Sequence, residues 1–363
     1  MLKVTVNQNE VLIVGGGMAL LKVKTALANV SSSKSVGSIN KNTLVTKASH
    51  YLKVRKLFPD TFAEDAEALK HITEYQSRTE SHEAARLAIT NICENGQCVT
   101  GNEHWDSLLD PHQGIAANVM SILGLSGMCL FDEQGTGKTI SALAAFDLLR
   151  AQAHVSTAVI VAPKTLLENW RVEIEKFLPT PKNIVVIDGD KNNRYKKLTK
   201  NGDIYLATYE TLSSELVLFS ALAESQKMLL IVDESFFVKN PDATRSQALR
   251  TFRHFCTRAL VLCGTPAPNS PADLIHQFDL SDNGYTFGDV RLPKDPEELK
   301  TLISERIETR GIYLRRTKES VLPDLPDKTF NVILVDMAPR QAALYEEARN
   351  ELALYLKTLD NRT

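Results

Sequence analysis

The sequence has no run approaching the ~18 consecutive apolar residues of a membrane helix, so no membrane partner is expected. A surplus of charge is missing too: 42 Lys and Arg face 44 Asp and Glu, a net charge of −2. That excludes a uniformly basic nucleic-acid binder, and any such contact has to come from local patches. Cysteine is scarce and odd in number, at Cys93, Cys98, Cys129, Cys256 and Cys263. Three of these lie in apolar or strand-like surroundings, the pattern of reduced intracellular thiols rather than a disulfide framework. Cys93 and Cys98 have His82 and His104 nearby, but a zinc site is not expected from them. A secretory leader is not expected either: the apolar stretch from Val11 to Leu21 follows Glu10 where a basic flank belongs, and three glycines interrupt it. Gly15-Gly16-Gly17 lacks the rest of a dinucleotide fingerprint and reads as a loop after a buried strand. No long internal repeat is present.

Charge is unevenly spread. Residues 1–60 hold nine Lys/Arg against two Asp/Glu, and residues 61–110 hold three against ten. A separate N-terminal module over residues 1–100 is expected, either with a basic binding surface or simply with two solvated faces. It is a possible site for a protein partner. Residues 31–47, rich in Ser, Asn, Lys and Gly, read as a long loop or hairpin. Residues 61–91 carry Phe62, Ala66, Leu69, Ile72 and Tyr75 at helical spacing.

From residue 101 the pattern becomes strand–helix alternation. Apolar runs occur at Met128–Phe131, Ala158–Ala162, Ile184–Ile187, Ile204–Ala207, Met228–Val232 and Ala259–Leu262, with helical segments such as Thr139–Arg150 and Leu166–Phe177 between them. Continuous apolar strands separated by helices predict an α/β fold with a parallel sheet covered on both faces. In such sheets ligands bind beyond the carboxyl ends of the strands.

Directly after the first of these strands comes Asp132-Glu133-Gln134-Gly135-Thr136-Gly137-Lys138-Thr139, followed by a helix. Glycines let several N–H groups face one phosphate, and the helix dipole adds to them. Lys138 is placed to neutralise β- and γ-phosphate oxygens and Thr139 to hold Mg²⁺. Gly-x-Gly-Lys-Ser/Thr arises by chance in a chain of this length on the order of one time in a hundred at average residue frequencies, so a mere glycine turn is a poor explanation. The run Leu229-Leu230-Ile231-Val232-Asp233-Glu234 brings two acids to a strand end. Asp233 suits Mg²⁺, and Glu234 suits a general base acting on water. The cations Lys191, Arg194, Lys196, Lys197 and Lys200 are read as a solvated face rather than a phosphate contact. Trp170 is read as core packing rather than a stacking platform.

Taken together these residues resemble helicase superfamily two, and within it the Swi/Snf-type DNA translocases, over residues ~105 to ~350. Asp132–Thr139 is similar to that family's Asp-Glu-Met-Gly-Leu-Gly-Lys-Thr loop, which explains Asp132 where a general pattern has glycine. Pro111-His112-Gln113 resembles the segment whose Gln reads the adenine edge. Ala162–Leu166 with Asn169-Trp170 and Glu173 resembles motif Ia, and Thr208-Tyr209-Glu210 resembles motif Ib. Cys263-Gly264-Thr265-Pro266 with Asn269 resembles motif III. Leu314–Lys318 and Leu322–Lys328 resemble the segment leaving the first lobe, and they separate this branch from the RNA helicases of the superfamily.

The resemblance implies a RecA-like first lobe over residues 101–363, with ATP and Mg²⁺ as cofactors and double-stranded DNA as partner. It assigns nucleotide contacts to Gln113 and Gln134–Thr139, DNA contacts to Lys164, Thr165 and Thr208, and coupling to Gly264 and Thr265. It implies a cytoplasmic protein, or a nuclear one in a eukaryote. Repair, remodelling, restriction and antiviral defence all employ such a motor. Three departures stand out. Asp233-Glu234-Ser235-Phe236 has Phe where the family carries a hydrogen-bonding His, Cys263 replaces a frequent Thr, and Pro268 replaces a frequent Gln. Motifs IV, V and VI do not occur in the 363 residues. A second lobe is therefore expected from the rest of the polypeptide or from another chain, and the 363 residues alone are expected to be nearly inactive. The competing reading is a regulatory module that binds ATP or DNA without turnover.

Overall fold

A computed structural model describes residues 1–7, 10–30, 37–179, 183–288, 290, 292–322, 324 and 333–360. Residues 1–323 form one compact unit and residues 324–363 a second.

The first unit contains two sheets. The N-terminal one has strands β1 (Leu2–Asn7), β2 (Glu10–Val14), β3 (Gly37–Asn40), β4 (Thr43–Thr46) and β5 (Phe62–Glu64), in the order β3-β4-β2-β1-β5. All pairings are antiparallel except β1 with β5. Val4, Val11, Ile13 and Leu44 point from it onto helices Gly17–Val30 and Ala48–Leu57, where Val23, Leu27, Tyr51 and Val54 complete a small core. Phe62, expected in a helix, belongs to β5 instead. Asp65 accepts a hydrogen bond from the Ala68 N–H (2.8 Å) and so starts the helix only at Ala66. Phe62 is left to pair with Leu2 and to pack edge-on against Tyr51. Gly17, expected in a loop, is the first residue of its helix. Helix Ala66–Glu94 is long enough to serve two cores: Ala68 and Ile72 pack in the small one, and Ala85, Ile89 and Ile92 in the large one.

The large sheet is wholly parallel. Strands β6 (Gly127–Leu130), β7 (Thr157–Val161), β8 (Ile184–Val186), β9 (Ile204–Ala207), β10 (Met228–Val232), β11 (Arg258–Leu262) and β12 (Tyr313–Leu314) lie in the order β12-β6-β11-β10-β7-β9-β8. The continuous apolar runs have a simple cause. Successive side chains go to opposite faces, and both faces are covered. Met128, Leu130, Ile160, Leu206, Ile231 and Leu260 join one core with the helices Pro111–Ser121, Lys138–Ala151 and Lys164–Phe177. Cys129, Val159, Tyr205, Leu230, Val232 and Val261 join the other with the helices Tyr209–Ser214, Leu216–Glu224, Thr244–Arg253 and Asp273–Asp282. The fold is therefore α/β and RecA-like, preceded by a smaller mixed sheet.

In the second unit, the sequence puts Leu344, Ala348, Leu352, Tyr355 and Leu356 in one apolar stripe on helix Pro339–Asp360, and Leu344 and Leu352 are exposed. The side chains of Tyr355 and Leu356 lie outside the described residues, as do residues 323 and 325–328 of the segment after the lobe. No helix of the described residues is long and apolar enough to cross a membrane.

Candidate functional site

Strand order decides which loops meet. β6, β11, β10 and β7 are neighbours, so their carboxyl ends bring together Asp132–Gly137, Cys263–Thr265, Asp233–Glu234 and Pro163–Thr165. The next strand, β9, is followed by Thr208.

The loop after β6 turns into helix Lys138–Ala151 through Gly137, whose φ of 81° lies in the left-handed region. A Cβ there would also collide with the Gln113 amide nitrogen. The Thr136 hydroxyl donates to the Glu133 carbonyl (2.8 Å) and closes the turn. Lys138 Nζ donates to the carbonyls of Asp132 (2.9 Å) and Glu133 (3.1 Å), so its ammonium lies curled inside the loop. Burial pushes the Lys138 ammonium below its ordinary pKa, opposed by the carboxylates of Glu234, Asp233 and Asp132. Thr139 follows at the start of the helix, and Gln134 and Gly135 are exposed at the loop tip. A left-handed glycine, a helix amino terminus and a half-buried ammonium beside two acids form a donor set that fits a polyphosphate carrying a divalent cation.

Helix Pro111–Ser121 seats its first turn on this loop. His112 Nε2 lies 2.8 Å from the Thr136 carbonyl. Gln113 donates to the same carbonyl (3.3 Å), and its Oε1 accepts from the Asp110 N–H (3.0 Å). Both ends of the Gln113 amide are thus engaged within the protein, each by one bond, which leaves a second N–H donor and a second acceptor lone pair.

From the other side comes the chain leaving β12. Arg316 grips the buried Asp132 carboxylate through Nε (3.1 Å) and Nη2 (2.5 Å), and donates from Nη1 to the His112 carbonyl (2.9 Å). The Glu133 N–H donates to the Arg316 carbonyl (3.0 Å), and the Lys318 N–H to the Glu133 carboxylate (2.8 Å). Sequence reading took Leu314–Lys318 only as a family marker. The signal it missed was Asp132: an acid at a strand end, where the general pattern has glycine, calls for a cation.

Asp233 and Glu234 stand at the end of β10. The Asp233 side chain is held at both oxygens. Oδ1 accepts from the Glu234 N–H (2.9 Å) and Oδ2 from the Trp170 indole N–H (2.9 Å). Its backbone carbonyl accepts from the Tyr209 hydroxyl (2.5 Å). Trp170 is core, 1% exposed, as its spacing predicts, but its polar edge does more than fill space. Burial raises the Asp233 pKa, while the Trp170 and Glu234 N–H donors and Lys138 act against that. Burial first, and Asp233 second, raise that of Glu234. Glu234 turns the chain with φ 50° and ψ 54°, a left-handed conformation that costs a non-glycine residue roughly 1–2 kcal/mol.

Phe236 has no counterpart to a histidine's hydrogen bonds. It stacks on Phe237 (centroids 4.5 Å, 30°), which stacks on Tyr209 (6.0 Å, 30°) beneath the Arg245 guanidinium. The preceding Ser235 donates to Gln277 (2.6 Å), and Gln277 donates to the Pro266 carbonyl (2.5 Å), joining the acidic turn to the loop after β11. In that loop Gly264 lies flat against Gln134, where a Cβ would stand 2.5 Å from Gln134 Cγ, while Thr265 is exposed. Cys263 Sγ lies 4.0 Å from the Glu234 carboxylate.

Of the remaining residues read from the sequence, Lys164 and Thr165 follow β7 and Thr208 follows β9. Lys164 and Thr165 are exposed in the first turn of helix Lys164–Phe177. Thr208 caps helix Tyr209–Ser214, accepting from the Thr211 N–H (3.1 Å). The basic stretch forms helix Lys191–Leu198, in which Arg194 pairs with Glu215 and Lys197 with Asp188. Cys93 is exposed, and among the described residues no group of three or more His, Cys, Asp or Glu is placed to hold a metal ion.

A profile of the SNF2-related domain matches residues 67–362. An uncharacterized ATP-dependent helicase of Mycoplasma pneumoniae is 30% identical over 246 residues, 65% of this chain and 23% of that protein. The SWI/SNF-related regulator of chromatin subfamily A containing DEAD/H box 1 of Xenopus tropicalis is 27% identical over 290 residues, 73% of this chain and 29% of that protein. The chain thus spans about a quarter of the length of these curated relatives. Among solved structures, the Sulfolobus solfataricus SWI2/SNF2 ATPase core in complex with dsDNA matches with a TM-score of 0.47 and 27% identity, over 69% of this chain and 53% of that one.

Proposed function

The chain belongs to the SNF2-related domain family, and on that premise we propose that it is the ATP-gripping first lobe of a double-stranded-DNA translocase, with an accessory module over residues 1–100. Lys138 and the N–H groups of Gln134–Thr139 hold the triphosphate, and Gln113 the base. Thr139 and Asp233 hold Mg²⁺, which when bound offsets charge developing on the transferred phosphoryl group. Glu234 takes the proton of the attacking water, and its raised pKa makes it the stronger base for that task. Lys164, Thr165 and Thr208 contact the DNA backbone without reading sequence. Gly264 and Thr265 pass the state of the phosphate loop onward.

The observation that carries this reading is the meeting of the glycine-turned loop, the half-buried ammonium of Lys138 and the Asp233–Glu234 pair at the carboxyl ends of the parallel strands β6 and β10, which flank β11. By themselves the 363 residues bind MgATP and turn it over slowly. The arginines that close the site in the family come from a second lobe, in the remaining polypeptide or another chain, and their lack costs ~10³–10⁵ in rate.

Binding and turnover of a fluorescent ATP analogue, with and without duplex DNA, test this. Magnesium-dependent binding that weakens roughly 100-fold in Lys138→Ala, and duplex binding that weakens in Lys164→Ala and tightens with falling salt, are expected. Nucleotide binding indifferent to Lys138→Ala would overturn the reading. Tighter binding of duplex RNA than of DNA would move it to an RNA helicase. A second lobe that restores no hydrolysis would leave a regulatory binding module.

A further inference from the structure

The two helices that begin with the proposed DNA contacts also hold Asp233. Helix Lys164–Phe177 starts with Lys164 and Thr165, and less than two turns later carries Trp170, whose indole N–H donates to Asp233 Oδ2 at 2.9 Å. Helix Tyr209–Ser214 is capped by Thr208, and its first residue, Tyr209, donates to the Asp233 carbonyl at 2.5 Å. Both side chains are buried, at 1% and 3% exposure. Neither helix touches the phosphate loop through these residues; each reaches the acidic turn instead. Phe236 supplies the third connection. Through Phe237 it stacks back onto the Tyr209 ring, so the turn bearing Asp233 and Glu234 and the helix bearing Tyr209 share one aromatic column. Arg245 covers that column and faces Glu210, the next residue of the same helix (3.9 Å).

Geometry gives this arrangement a mechanical meaning. A carboxylate held at both oxygens and at its backbone carbonyl keeps one orientation. Two of those three holds come from the helices that begin at the proposed DNA contacts, of which Lys164 and Thr165 are exposed. We propose that Trp170, Tyr209 and Phe236 are positioning residues that couple duplex DNA bound at Lys164, Thr165 and Thr208 to the orientation of Asp233, so that DNA and magnesium–nucleotide strengthen each other's binding. The inference rests on the reading under Proposed function. It makes Phe236 a working part of this chain rather than a lost histidine.

Thermodynamic linkage makes the coupling measurable without turnover, because each ligand must change the other's affinity by the same factor. The dissociation constant of mant-ATP is measured on the 363-residue chain with Mg²⁺ or EDTA, with and without a saturating short blunt duplex of mixed sequence. In the unaltered chain the duplex is expected to tighten Mg²⁺–mant-ATP binding by roughly 5–20-fold, within the usual range of coupling, and to leave binding in EDTA unchanged. Tyr209→Phe removes one hydroxyl and keeps the ring stack; it is expected to bring the coupling to about 2-fold or less, with duplex affinity held within about 2-fold. Trp170→Phe is expected to do the same, and the double variant no more, because both donors hold one residue, Asp233, at its carboxylate and at its backbone carbonyl. Arg171→Ala, on the exposed side of the Trp170 helix, is expected to keep full coupling, which separates the relay from general loosening of that helix. Should Trp170→Phe fail to fold, Tyr209→Phe decides alone. Full coupling retained in Tyr209→Phe overturns the inference, as does an unaltered chain that binds both ligands with no mutual effect, and in either case the proposed function still stands. A chain that binds neither ligand removes the proposed function and the relay with it.

Discussion

The two sheets of the first unit are made from similar residues and do different work. In the N-terminal sheet four strands pair antiparallel, β1 with β2 and β3 with β4 through short turns, and one face lies on two helices. Its loops are shared between both ends of the strands. In the large sheet every strand runs the same way, so every strand's following loop emerges at one end. The connectivity itself gathers Asp132, Lys138, Thr208, Asp233, Glu234 and Gly264 on a single rim. The lesson is that parallel topology concentrates chemistry, whereas the antiparallel sheet offers a surface.

That contrast can be tested by damaging each side in turn. The largest effect is expected from Arg316→Ala, which leaves the Asp132 carboxylate buried and unpaired. Breaking such a pair costs about 3 kcal/mol or more, and a denaturant titration should show the large sheet's transition moved by that amount while the N-terminal sheet holds. Next comes Lys138→Ala, expected to weaken ATP binding roughly 100-fold, the upper range for a hydrogen bond to a charged group. Any comparable loss from a substitution on the N-terminal sheet would break the division of labour.

A pH dependence follows from helix Asp273–Asp282. Burial raises Asp282 to about 7 and Asp279 to about 6. An acid with a raised folded pKa binds protons more tightly folded than unfolded, so its contribution favours folding at low pH and is lost as pH rises through that value. Thermal melts should therefore show the lobe more stable at pH 5 than at pH 8, by on the order of 2 kcal/mol from Asp282. Asp282→Asn should flatten that slope.

The smallest effects are expected where the N-terminal module meets the lobe through exposed side chains. Lys47 donates to the Gly288 carbonyl (2.8 Å) and Arg86 to the Glu308 carbonyl (2.9 Å). Replacing either with Ala should change stability by about 0.5 kcal/mol or less. A much larger loss would show that the two sheets fold as one cooperative block.

The same contrast explains what could be read from the sequence. The lobe was legible because doubly covered parallel strands are unbroken apolar runs, and because phosphate chemistry demands Gly135, Gly137 and Lys138 in sequence. The donors around Asp233 were not legible. Trp170 and Tyr209 are distant in sequence from the acid they hold, and their apolar bodies satisfy a packing pattern by themselves. Arg316 stands 184 residues from Asp132, and only the β6–β12 pairing joins them. In the N-terminal module, the helical spacing of Phe62 hid a strand because the stop signal was one residue, Asp65, whose capping role depends on where the chain bends.

The Arg316 clamp also makes the phosphate loop a force gauge. The strand leaving the lobe is bonded rung by rung to β6 and then to Glu133, Asp132 and His112. Tension along residues 313–318 is therefore passed, through the bonds from Phe131 and Glu133, to the loop carbonyls that hold Lys138. A pull on that strand should loosen the grip on nucleotide, and a bound nucleotide should stiffen the strand against the pull.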